Sequence, residues 1–430
     1  MTDTFAKRRA AIIEKLGSNA ALVLAAAPEI VIGRDTELRY VADAELYYLT
    51  GYTEPEAVLV LGPAGSDAPF SMFVRPRDAA RELWTGKRGG LEAARELFAA
   101  DAAHSIAELS SGLPPLLASV DVIYARLGAG RPAVDGVLMQ LLAQARSTRP
   151  RTGMSAHTLT DPGELIDCMR VIKDADELAL MREAARITCG AFNEALGRIR
   201  PGAGEWEVEA ALEYGFRLRG GEGPAFPTIA AAGANATVLH YIQNSATMCD
   251  SDLLLLDAGA RYRMYCADIT RTVPVSGAFS SEQRAVYDVV LAAHDAALQA
   301  ARPGVLFDTV HMAAQRVLAE GLIPLGILEG SIDSVIEADD GLRQYFPHRT
   351  SHWLGLDVHD VGAYATRAGA VTLVSGMVMT IEPGLYIAEK GIGIRIEDDI
   401  VITNDGCEVL TSGVPTDPAQ IEALVRGAGS

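Results

Sequence analysis

The most informative segment of the chain is LLLLDAGARYRMYCADITRTV, residues 253–273. It predicts two apolar strands joined by a polar turn, with one aspartate in each strand. If the turn residues are Tyr262 and Arg263, Asp257 and Asp268 lie directly opposite each other. Side chains in that position have Cβ atoms about 4.5–5.5 Å apart. Two carboxylates at that distance repel each other unless a positive charge or a shared proton lies between them.

A second segment, TIEPGLYIAEKGIGIRIEDDIVIT, residues 380–403, repeats this arrangement. Glu382 and Glu397 face each other if the chain turns at Glu389 and Lys390. Apolar residues flank the acids in both hairpins, and acids embedded in such runs are rarely free in solvent. Two hairpins with facing acid pairs therefore favour a site for divalent cations. The alternative is a set of four solvated surface acids.

Histidines cluster in the same half of the chain. Three of the eight lie within HRTSHWLGLDVH, residues 348–359, and His240 lies in GANATVLHY. One imidazole beside four carboxylates is a mixed nitrogen and oxygen donor set, which suits Mn²⁺, Zn²⁺ or Co²⁺ better than Ca²⁺. Two ions can share so few donors only if carboxylates bridge them, and such pairs activate water for hydrolysis. The remaining histidines are predicted to be structural: His104, His157, His294 and His311.

Helical patterns precede both acidic hairpins. Two pairs of helices are predicted, each pair separated by a Pro-Gly step: 173–199 with 205–219, and 282–301 with 309–320. Asp174 is the predicted N-cap of the first helix. The repeated pattern indicates an internal duplication, so the second half is predicted to be a pseudo-symmetric α+β domain.

The first half of the chain predicts an α/β domain. Short apolar runs are expected to form buried strands at 20–27, 57–61 and 119–125, with helical patterns such as 90–100 between them. A polar segment with two prolines and two glycines, residues 149–164, predicts a linker. We therefore expect a first domain over 1–163 and a second over 164–430.

Composition excludes several classes of protein. The chain has 430 residues, 37 basic and 56 acidic, and a formal net charge of −19. Nucleic-acid binders and proteins of anionic membrane surfaces need basic surfaces, so neither class is predicted. The five cysteines include no CxxC pair, which argues against a disulfide framework or a zinc ribbon. The N-terminus is not a secretory signal, and no apolar run there spans a bilayer, so a cytoplasmic location is predicted.

Together these segments resemble the pita-bread metallopeptidases, the family of methionine aminopeptidase, prolidase and aminopeptidase P. The resemblance rests on five motifs in order over residues 233–403: GANATVLHY, LLLLDAGARYRMYCADITRTVPVSG, HRTSHWLGLDVHDVG, MVMTIEPGLYI and GIRIEDDIVIT. The first half is similar to the N-terminal domain of aminopeptidase P and prolidase, through AELYYLTGYTEPEAVLVL and RELWTGKRGG. The resemblance is greatest to the aminopeptidase P branch. It implies a small α/β N-terminal domain, for oligomerisation and substrate access, before a pita-bread catalytic domain.

By this resemblance, two metal ions, usually Mn²⁺, would be bound by five residues: Asp257, Asp268, His352, Glu382 and Glu397. Asp268 and Glu397 would bridge the ions, and a bridging water or hydroxide would attack the scissile carbonyl. Glu382 would also act as general base. His359 would stabilise the oxyanion, and His240 would bind near the scissile peptide.

The resemblance also assigns the substrate pocket. His348 and Arg395 would line the space for the proline and for the substrate residues after it. The chain departs from some family members at Arg349-Thr350, where they have Gly and a small apolar residue, and this leaves details of the proline pocket open. Trp84 would approach a neighbouring subunit's site, although a half-buried tryptophan that only packs is the commoner case.

The implied activity is hydrolysis of the first peptide bond in peptides whose second residue is proline, by a homodimer or homotetramer. Prolidase, which cleaves only Xaa-Pro dipeptides, is an alternative with nearly the same motifs. A more remote alternative is a pita-bread protein that binds peptides without catalysis. Proteins of that kind have lost metal ligands, whereas this chain has all five.

Overall fold

The structure, a computed structural model, describes residues 2–153, 155–338, 341–367 and 369–427. It separates into two compact units, Met1–Cys168 and Met169–Ser430. The helix Gly163–Arg170 runs from the first unit into the second. The expected domain boundary between residues 163 and 164 falls at the start of that helix and stays a prediction.

The first unit is built on a mixed six-stranded sheet with the order β6-β5-β4-β1-β7-β8. Its strands are β1 (Ala20–Ala25), β2 (Val31–Ile32), β3 (Thr36–Glu37), β4 (Val58–Leu61), β5 (Phe70–Val74), β6 (Ala102–Ser105), β7 (Val122–Tyr124) and β8 (Thr158–Thr160). Its helices are α1 (Thr2–Leu16), α2 (Ala44–Thr50), α3 (Ala79–Thr85), α4 (Gly90–Glu96), α5 (Leu109–Leu116), α6 (Pro132–Thr152) and α7 (Gly163–Arg170). The α/β prediction for this half is confirmed, including strands at all three expected places.

The predicted linker at 149–164 is wrong. Helix α6 continues through Pro150 to Thr152, and β8 adds an edge strand parallel to β7. Pro150 has no N–H, so α6 lacks one hydrogen bond of its ladder at this position but still continues for two more residues. The helix then ends at Gly153, whose φ of 71° is readily adopted by glycine. A polar edge strand lacks the apolar run that marks a buried strand in the sequence.

The second unit begins with two helices and ends with one. Its helices are α8 (Ala175–Ala195), α9 (Glu205–Leu218), α10 (Ser281–Ala300), α11 (Phe307–Leu322), α12 (Ile332–Glu337) and α13 (Pro418–Gly427). Its strands are β9 (Gly223–Pro224), β10 (Ile229–Ala232), β11 (Leu253–Ala258), β12 (Ala260–Tyr262), β13 (Tyr265–Cys266), β14 (Ile269–Pro274), β15 (Ala365–Thr366), β16 (Gly369–Ala370), β17 (Val378–Ile381), β18 (Gly384–Ile387), β19 (Ile392–Arg395), β20 (Asp398–Ile402) and β21 (Cys407–Val409). None of the described helices combines the length and apolar character that a membrane crossing requires.

The two predicted helix pairs are α8 with α9 and α10 with α11. Asp174 caps α8 in a capping box with Glu177, as expected. The glycines of the two Pro-Gly steps, Gly202 and Gly304, both have φ above 80°, so each step uses the same left-handed turn. Each pair precedes an antiparallel three-stranded sheet, β10-β11-β14 or β17-β20-β21. The helices and sheets share one apolar core, which fixes the positions of the acidic strands.

Candidate metal centre

The first acidic hairpin differs from its predicted register. The turn lies at Arg263 and Met264, and Asp257 pairs with Thr270 instead of Asp268. Both turn residues have positive φ, 46° and 71°, which matches the twist of a two-residue hairpin. No Asn or Gly marks this turn in the sequence, so its position was missed. Because side chains alternate along a strand, a shift of two residues leaves Asp257 and Asp268 on the same face.

The second acidic hairpin has its predicted register. β17 pairs with β20 and β18 pairs with β19 in one continuous alignment, which places Glu382 opposite Glu397. A 3₁₀ turn over Ala388–Lys390 closes the hairpin, and Gly391 follows it with a φ of 61°. Pro383 interrupts the ladder between the two paired segments, and the N–H of Ile396 donates to its carbonyl. The facing pair of glutamates is therefore confirmed.

His352 brings the two hairpins together. Its Nδ1 lies 3.0 Å from the carbonyl oxygen of Trp353. Because Nδ1–H donates there, the Nε2 lone pair is available to a ligand. Nε2 lies 3.6 Å from an oxygen of Asp268, 3.5 Å from one of Glu382 and 4.0 Å from one of Glu397. The side chain of the central histidine thus points at three carboxylates from both hairpins.

The electrostatics of this cluster favour an added positive charge. Burial and the carboxylate of Glu397 hold the pKa of Asp268 well above its usual value, and burial and Glu382 do the same to Glu397. One oxygen of Asp257 and one of Asp268 are buried without a hydrogen-bond partner in the described structure. Ligand atoms of Asp268, His352 and Glu397 lie within 4.8 Å of one another. Several carboxylates with one imidazole are a fitting donor set for divalent transition metals.

Arg395 is the buried cation beside the cluster. Its guanidinium donates to Asp257 at 2.5 Å, to the Tyr386 hydroxyl at 2.8 Å and to the Thr270 hydroxyl at 3.0 Å. Thr270 in turn donates to Glu397 at 2.6 Å. Tyr386 and Thr270 were not predicted. The two-residue period of β18 places Tyr386 on the same face as Glu382, and this was the available signal.

A cavity of about 990 Å³ opens onto the cluster. All nine candidate residues named from the sequence line it: His240, Asp257, Asp268, His348, His352, His359, Glu382, Arg395 and Glu397. Apolar side chains form much of the remaining wall: Phe226, Pro227, Ile229, Leu239, Ile242, Phe307, Val358 and Tyr364. A largely apolar cavity with a few converging polar groups is the usual form of a small-ligand site.

Two family models match the chain. "Metallopeptidase family M24" matches residues 179–404, and "Aminopeptidase P, N-terminal domain" matches residues 5–124. The Xaa-Pro aminopeptidase of Escherichia coli strain K12 is 40% identical over 433 residues, which cover 99% of this chain and 98% of the relative. The Xaa-Pro aminopeptidase of Haemophilus influenzae is 35% identical, with 99% and 97% covered.

The solved structures that resemble this chain are aminopeptidases, as the sequence relatives are. Pseudomonas aeruginosa aminopeptidase PepP has a TM-score of 0.95 and 41% identity, with 100% of this chain and 99% of that chain covered. E. coli aminopeptidase P with the inhibitor Pro-Leu has a TM-score of 0.94 and 39% identity, with 100% and 99% covered. The chain belongs to metallopeptidase family M24. It is a metallo-exopeptidase of the aminopeptidase P type, with the pita-bread fold in its second unit.

Membership of the M24 family implies divalent metal ions, which the donor set fits. The prolidase alternative is not favoured, since the E. coli and H. influenzae relatives are Xaa-Pro aminopeptidases over almost their full length. The roles of the individual residues of this M24 protein remain predictions. The structure places the five expected ligands together, but it assigns none of them a chemical step.

The auxiliary histidines of this M24 protein have distinct settings. Arg395 donates to the hydroxyl oxygen of Tyr386, so the Tyr386 O–H can donate to His348 Nε2, which lies 2.8 Å away. Burial lowers the pKa of His348, so its ring is neutral near pH 7. The His359 ring packs edge-on against His352, with centroids 4.6 Å apart. Burial and His352 lower the pKa of His359 as well.

Two further residues singled out from the sequence, Arg349 and Trp84, lie in different units. Arg349 lines the cavity of the second unit and forms an ion pair with Asp308 at its wall. The adjacent Thr350 is buried instead and contacts His311 Nδ1 at 2.8 Å. Trp84 lies on α3 of the first unit and is 86% exposed, so it is not the half-buried packing residue that was considered.

Proposed function

We propose that this protein removes the N-terminal residue from peptides whose second residue is proline. The observation that carries the proposal is the meeting of two acidic hairpins and His352 at the floor of one cavity. The relatives support the substrate class, since they are named Xaa-Pro aminopeptidases. A solved relative holds Pro-Leu as an inhibitor, which fits a pocket that accepts a proline ring.

Five residues would hold two divalent ions: Asp257, Asp268, His352, Glu382 and Glu397. Asp268 comes from the first hairpin and Glu397 from the second, and as ligands of both ions they would be relieved of the burial and repulsion that raise the pKa of both carboxyls. When bound, two such ions lower the pKa of a shared water and offset charge on a carbonyl oxygen. The mixed oxygen and nitrogen donors favour Mn²⁺, with Zn²⁺ or Co²⁺ as substitutes.

The chain's own residues would move the protons. Glu382 is the candidate general base, because it lines the cavity and one of its oxygens receives a hydrogen bond of 3.3 Å from Thr380. Its second oxygen lies 3.7 Å from His348 Nδ1. His359, whose pKa is lowered by burial and by His352, would donate a hydrogen bond to the oxyanion of the scissile carbonyl. His240 lines the same cavity and would bind the peptide beside that carbonyl.

The bond before proline is a tertiary amide without an N–H. A site for it cannot rely on that donor, so recognition must come from the shape of the ring. His348, Arg395 and the apolar wall of the cavity supply such a shape. The His348 ring is held at both nitrogens, with Nε2 2.8 Å from the Tyr386 hydroxyl and Nδ1 2.8 Å from the Arg349 carbonyl oxygen.

Three further features belong to the proposal. We infer Mn²⁺ as the resident metal, a cytoplasmic location and a homo-oligomer, dimer or tetramer. Metal analysis of protein purified without chelator tests the first. Cell fractionation tests the second, and light scattering of the purified chain tests the third.

A peptide-length assay tests the activity. Three substrates with the same first residue are compared in the presence of Mn²⁺: Xaa-Pro-Yaa, Xaa-Ala-Yaa and the dipeptide Xaa-Pro. Cleavage of Xaa-Pro-Yaa well above that of Xaa-Ala-Yaa is expected, together with loss of activity on chelation. Activity restricted to the dipeptide would indicate prolidase, and equal cleavage of the two tripeptides would remove proline from the specificity.

A further inference from the structure

A second cluster of charges, with three of its four side chains buried, lies outside the lining of the cavity. It consists of Arg170, Lys173, Asp357 and Asp360, and we call it the Asp360 cluster. The side chains of Arg170, Lys173 and Asp360 are 2%, 1% and 1% exposed. Lys173 Nζ lies 2.8 Å from Asp360, while Arg170 contacts both Asp360 and Asp357, the latter at 2.9 Å.

The cluster keeps Asp360 ionised. Burial alone would raise the pKa of this carboxyl, but Lys173 and Arg170 more than offset burial and hold the pKa below its usual value. The cluster thus balances its own charge, and the cations are separated from the acid by 187 and 190 residues of sequence. Such a set is costly to desolvate and stabilises the fold little by itself. Its main effect is to fix the position of Asp360.

Asp360 ends the loop that carries both central histidines. The loop begins at His352, and His359 immediately precedes Asp360 at its other end. The carbonyl of Trp353 accepts two hydrogen bonds, from the Asp360 N–H at 2.9 Å and from His352 Nδ1 at 3.0 Å. A displacement of Asp360 therefore changes the acceptor that orients the His352 ring, and it moves His359 directly.

Two glycines show how closely the loop is fitted to the cluster. A Cβ on Gly355 would lie 2.1 Å from the Asp360 carboxylate, and one on Gly362 would lie 2.2 Å from Val171. The segment that supplies the cations is itself fixed, since the Lys173 N–H donates to Gly376 O at 2.8 Å. The loop consequently has little freedom to adopt another position while the cluster is intact.

We propose that Arg170 and Lys173 are positioning residues that act through Asp360 to hold His352 and His359 in their working orientations. The functional meaning of those orientations rests on the proposed function, but the positioning itself does not. Neither cation lines the cavity. Their effect on catalysis would therefore be indirect, through metal affinity at His352 and through oxyanion stabilisation at His359.

The test uses three variants of the full chain. Lys173→Met removes the cation and keeps the length of the side chain, while Lys173→Arg restores the charge. Arg182→Met is the matched control, because Arg182 lies on α8 of the same unit and forms an exposed ion pair with Glu408. If Lys173→Met does not fold, Arg170→Lys replaces it, since the shorter lysine side chain cannot bring its nitrogen to the place of Arg170 Nη2, which contacts both Asp357 and Asp360.

Two readouts separate positioning from activity. In metal-free protein labelled with ¹⁵N-histidine, Lys173→Met should shift the ring signals of His352 and His359, while those of His104 and His157 in the first unit stay unchanged. Titration with Mn²⁺, followed by the electron paramagnetic resonance signal of the free ion, should show an affinity about 10- to 100-fold lower. Lys173→Arg should restore most of the affinity, and Arg182→Met should change neither readout.

The proposal is overturned if Lys173→Met folds and leaves both the histidine signals and the Mn²⁺ affinity at wild-type values. It is overturned equally if Arg182→Met has the same effects. A double-mutant cycle adds a third check: at saturating Mn²⁺, Lys173→Met should lower kcat much less in a His359→Ala background than in wild type. Failure of wild-type protein to cleave Xaa-Pro-Yaa would refute the proposed function instead, because the histidine signals require no substrate.

Discussion

Glu397 and Asp398 are neighbours in the sequence, and each is only 2% exposed, yet they belong to opposite electrostatic regions. Glu397 faces the acidic cluster, defined as Asp257, Asp268, His352, Glu382 and Glu397. Asp398 faces a balanced cluster, in which Arg271 lies 2.7 Å and His294 Nε2 3.1 Å from its carboxylate. Burial and Glu382 raise the pKa of Glu397, whereas Arg271 and His294 overcome burial and lower the pKa of Asp398.

The difference shows how one strand can serve both chemistry and stability. Successive side chains point to opposite faces, so a single IEDD run supplies a carboxylate to each region. The balanced cluster is complete within the protein. In the acidic cluster the carboxylates outnumber the cations near them, and one oxygen each of Asp257 and Asp268 has no hydrogen-bond partner among the described residues. We therefore expect the two regions to respond oppositely to charge removal, metal and pH.

The largest expected effect is on catalysis and belongs to the acidic cluster. Glu382→Gln removes the proposed base and should lower kcat by at least about 100-fold, since general-base catalysis contributes about 10²–10⁴. Circular dichroism should show an unchanged fold. Glu389→Gln, on the turn of the same hairpin, is the matched control and should keep wild-type kcat. A near-normal kcat for Glu382→Gln would refute its role as base.

Two Asp→Asn changes compare the regions directly in urea unfolding with chelator present. Asp398→Asn leaves Arg271 buried without its counter-charge and should cost about 3–5 kcal/mol. Asp268→Asn instead relieves repulsion from Glu397 and Asp257, so metal-free stability should stay equal or rise. The same variant should lose Mn²⁺ binding. Equal destabilisation by both changes would contradict the division into two regions.

Metal and pH should change the stability of the acidic cluster together. In metal-free protein the pKa of Asp268 and Glu397 is raised, so the folded state binds more protons than the unfolded state above the ordinary values of 3.8 and 4.5. Stability from these groups is present below those values and is lost as pH rises toward the folded pKa. With Mn²⁺ the slope should reverse, because the ions bind the deprotonated carboxylates.

Calorimetric unfolding between pH 4 and 8, with and without Mn²⁺, measures both slopes. At a free Mn²⁺ concentration 100 times Kd, the added stability should be about 2.7 kcal/mol for each ion bound. When the scan is extended below pH 4, Asp398→Asn should lack the acid-labile stability of the wild type, because the lowered pKa of Asp398 gives stability that is lost only as pH falls below its ordinary value of 3.8. Parallel slopes for metal-free and loaded protein would show that the acidic cluster binds no cation.

Much of the site could be predicted because its ligands lie on hairpins, where register follows from local sequence. The turn AEKG places Glu382 opposite Glu397, and the structure agrees. The first hairpin was missed by two residues, since Arg263 and Met264 form a left-handed turn without Gly or Asn. The prediction that Asp257 and Asp268 share one face still holds, because side chains alternate along a strand and a shift of two residues leaves both on that face.

Long-range contacts could not be predicted in the same way. Nothing local to Asp360 indicates that Lys173, 187 residues earlier, would contact it. The contact of Arg395 with Asp257 could not be predicted for the same reason, since the two residues lie 138 positions apart in the sequence. The extent of α6 was misjudged for a different reason. Pro150 and Gly153 are typical of a linker, but they also fit the last turn of a helix.

The smallest expected effect concerns a third kind of ion pair, balanced but solvated. Arg349 and Asp308 are 55% and 47% exposed at the cavity wall, so water already screens their attraction. Arg349→Gly should cost no more than about 1 kcal/mol of stability. Any effect on KM for Xaa-Pro-Yaa should be similarly small, about fivefold at most, with kcat unchanged. Asp308→Asn removes the other charge of this ion pair and should have equally small effects on stability and KM. A loss of kcat comparable to that of Glu382→Gln would place Arg349 among the groups that touch the reacting atoms, and exposure would then be a poor guide to function at this wall.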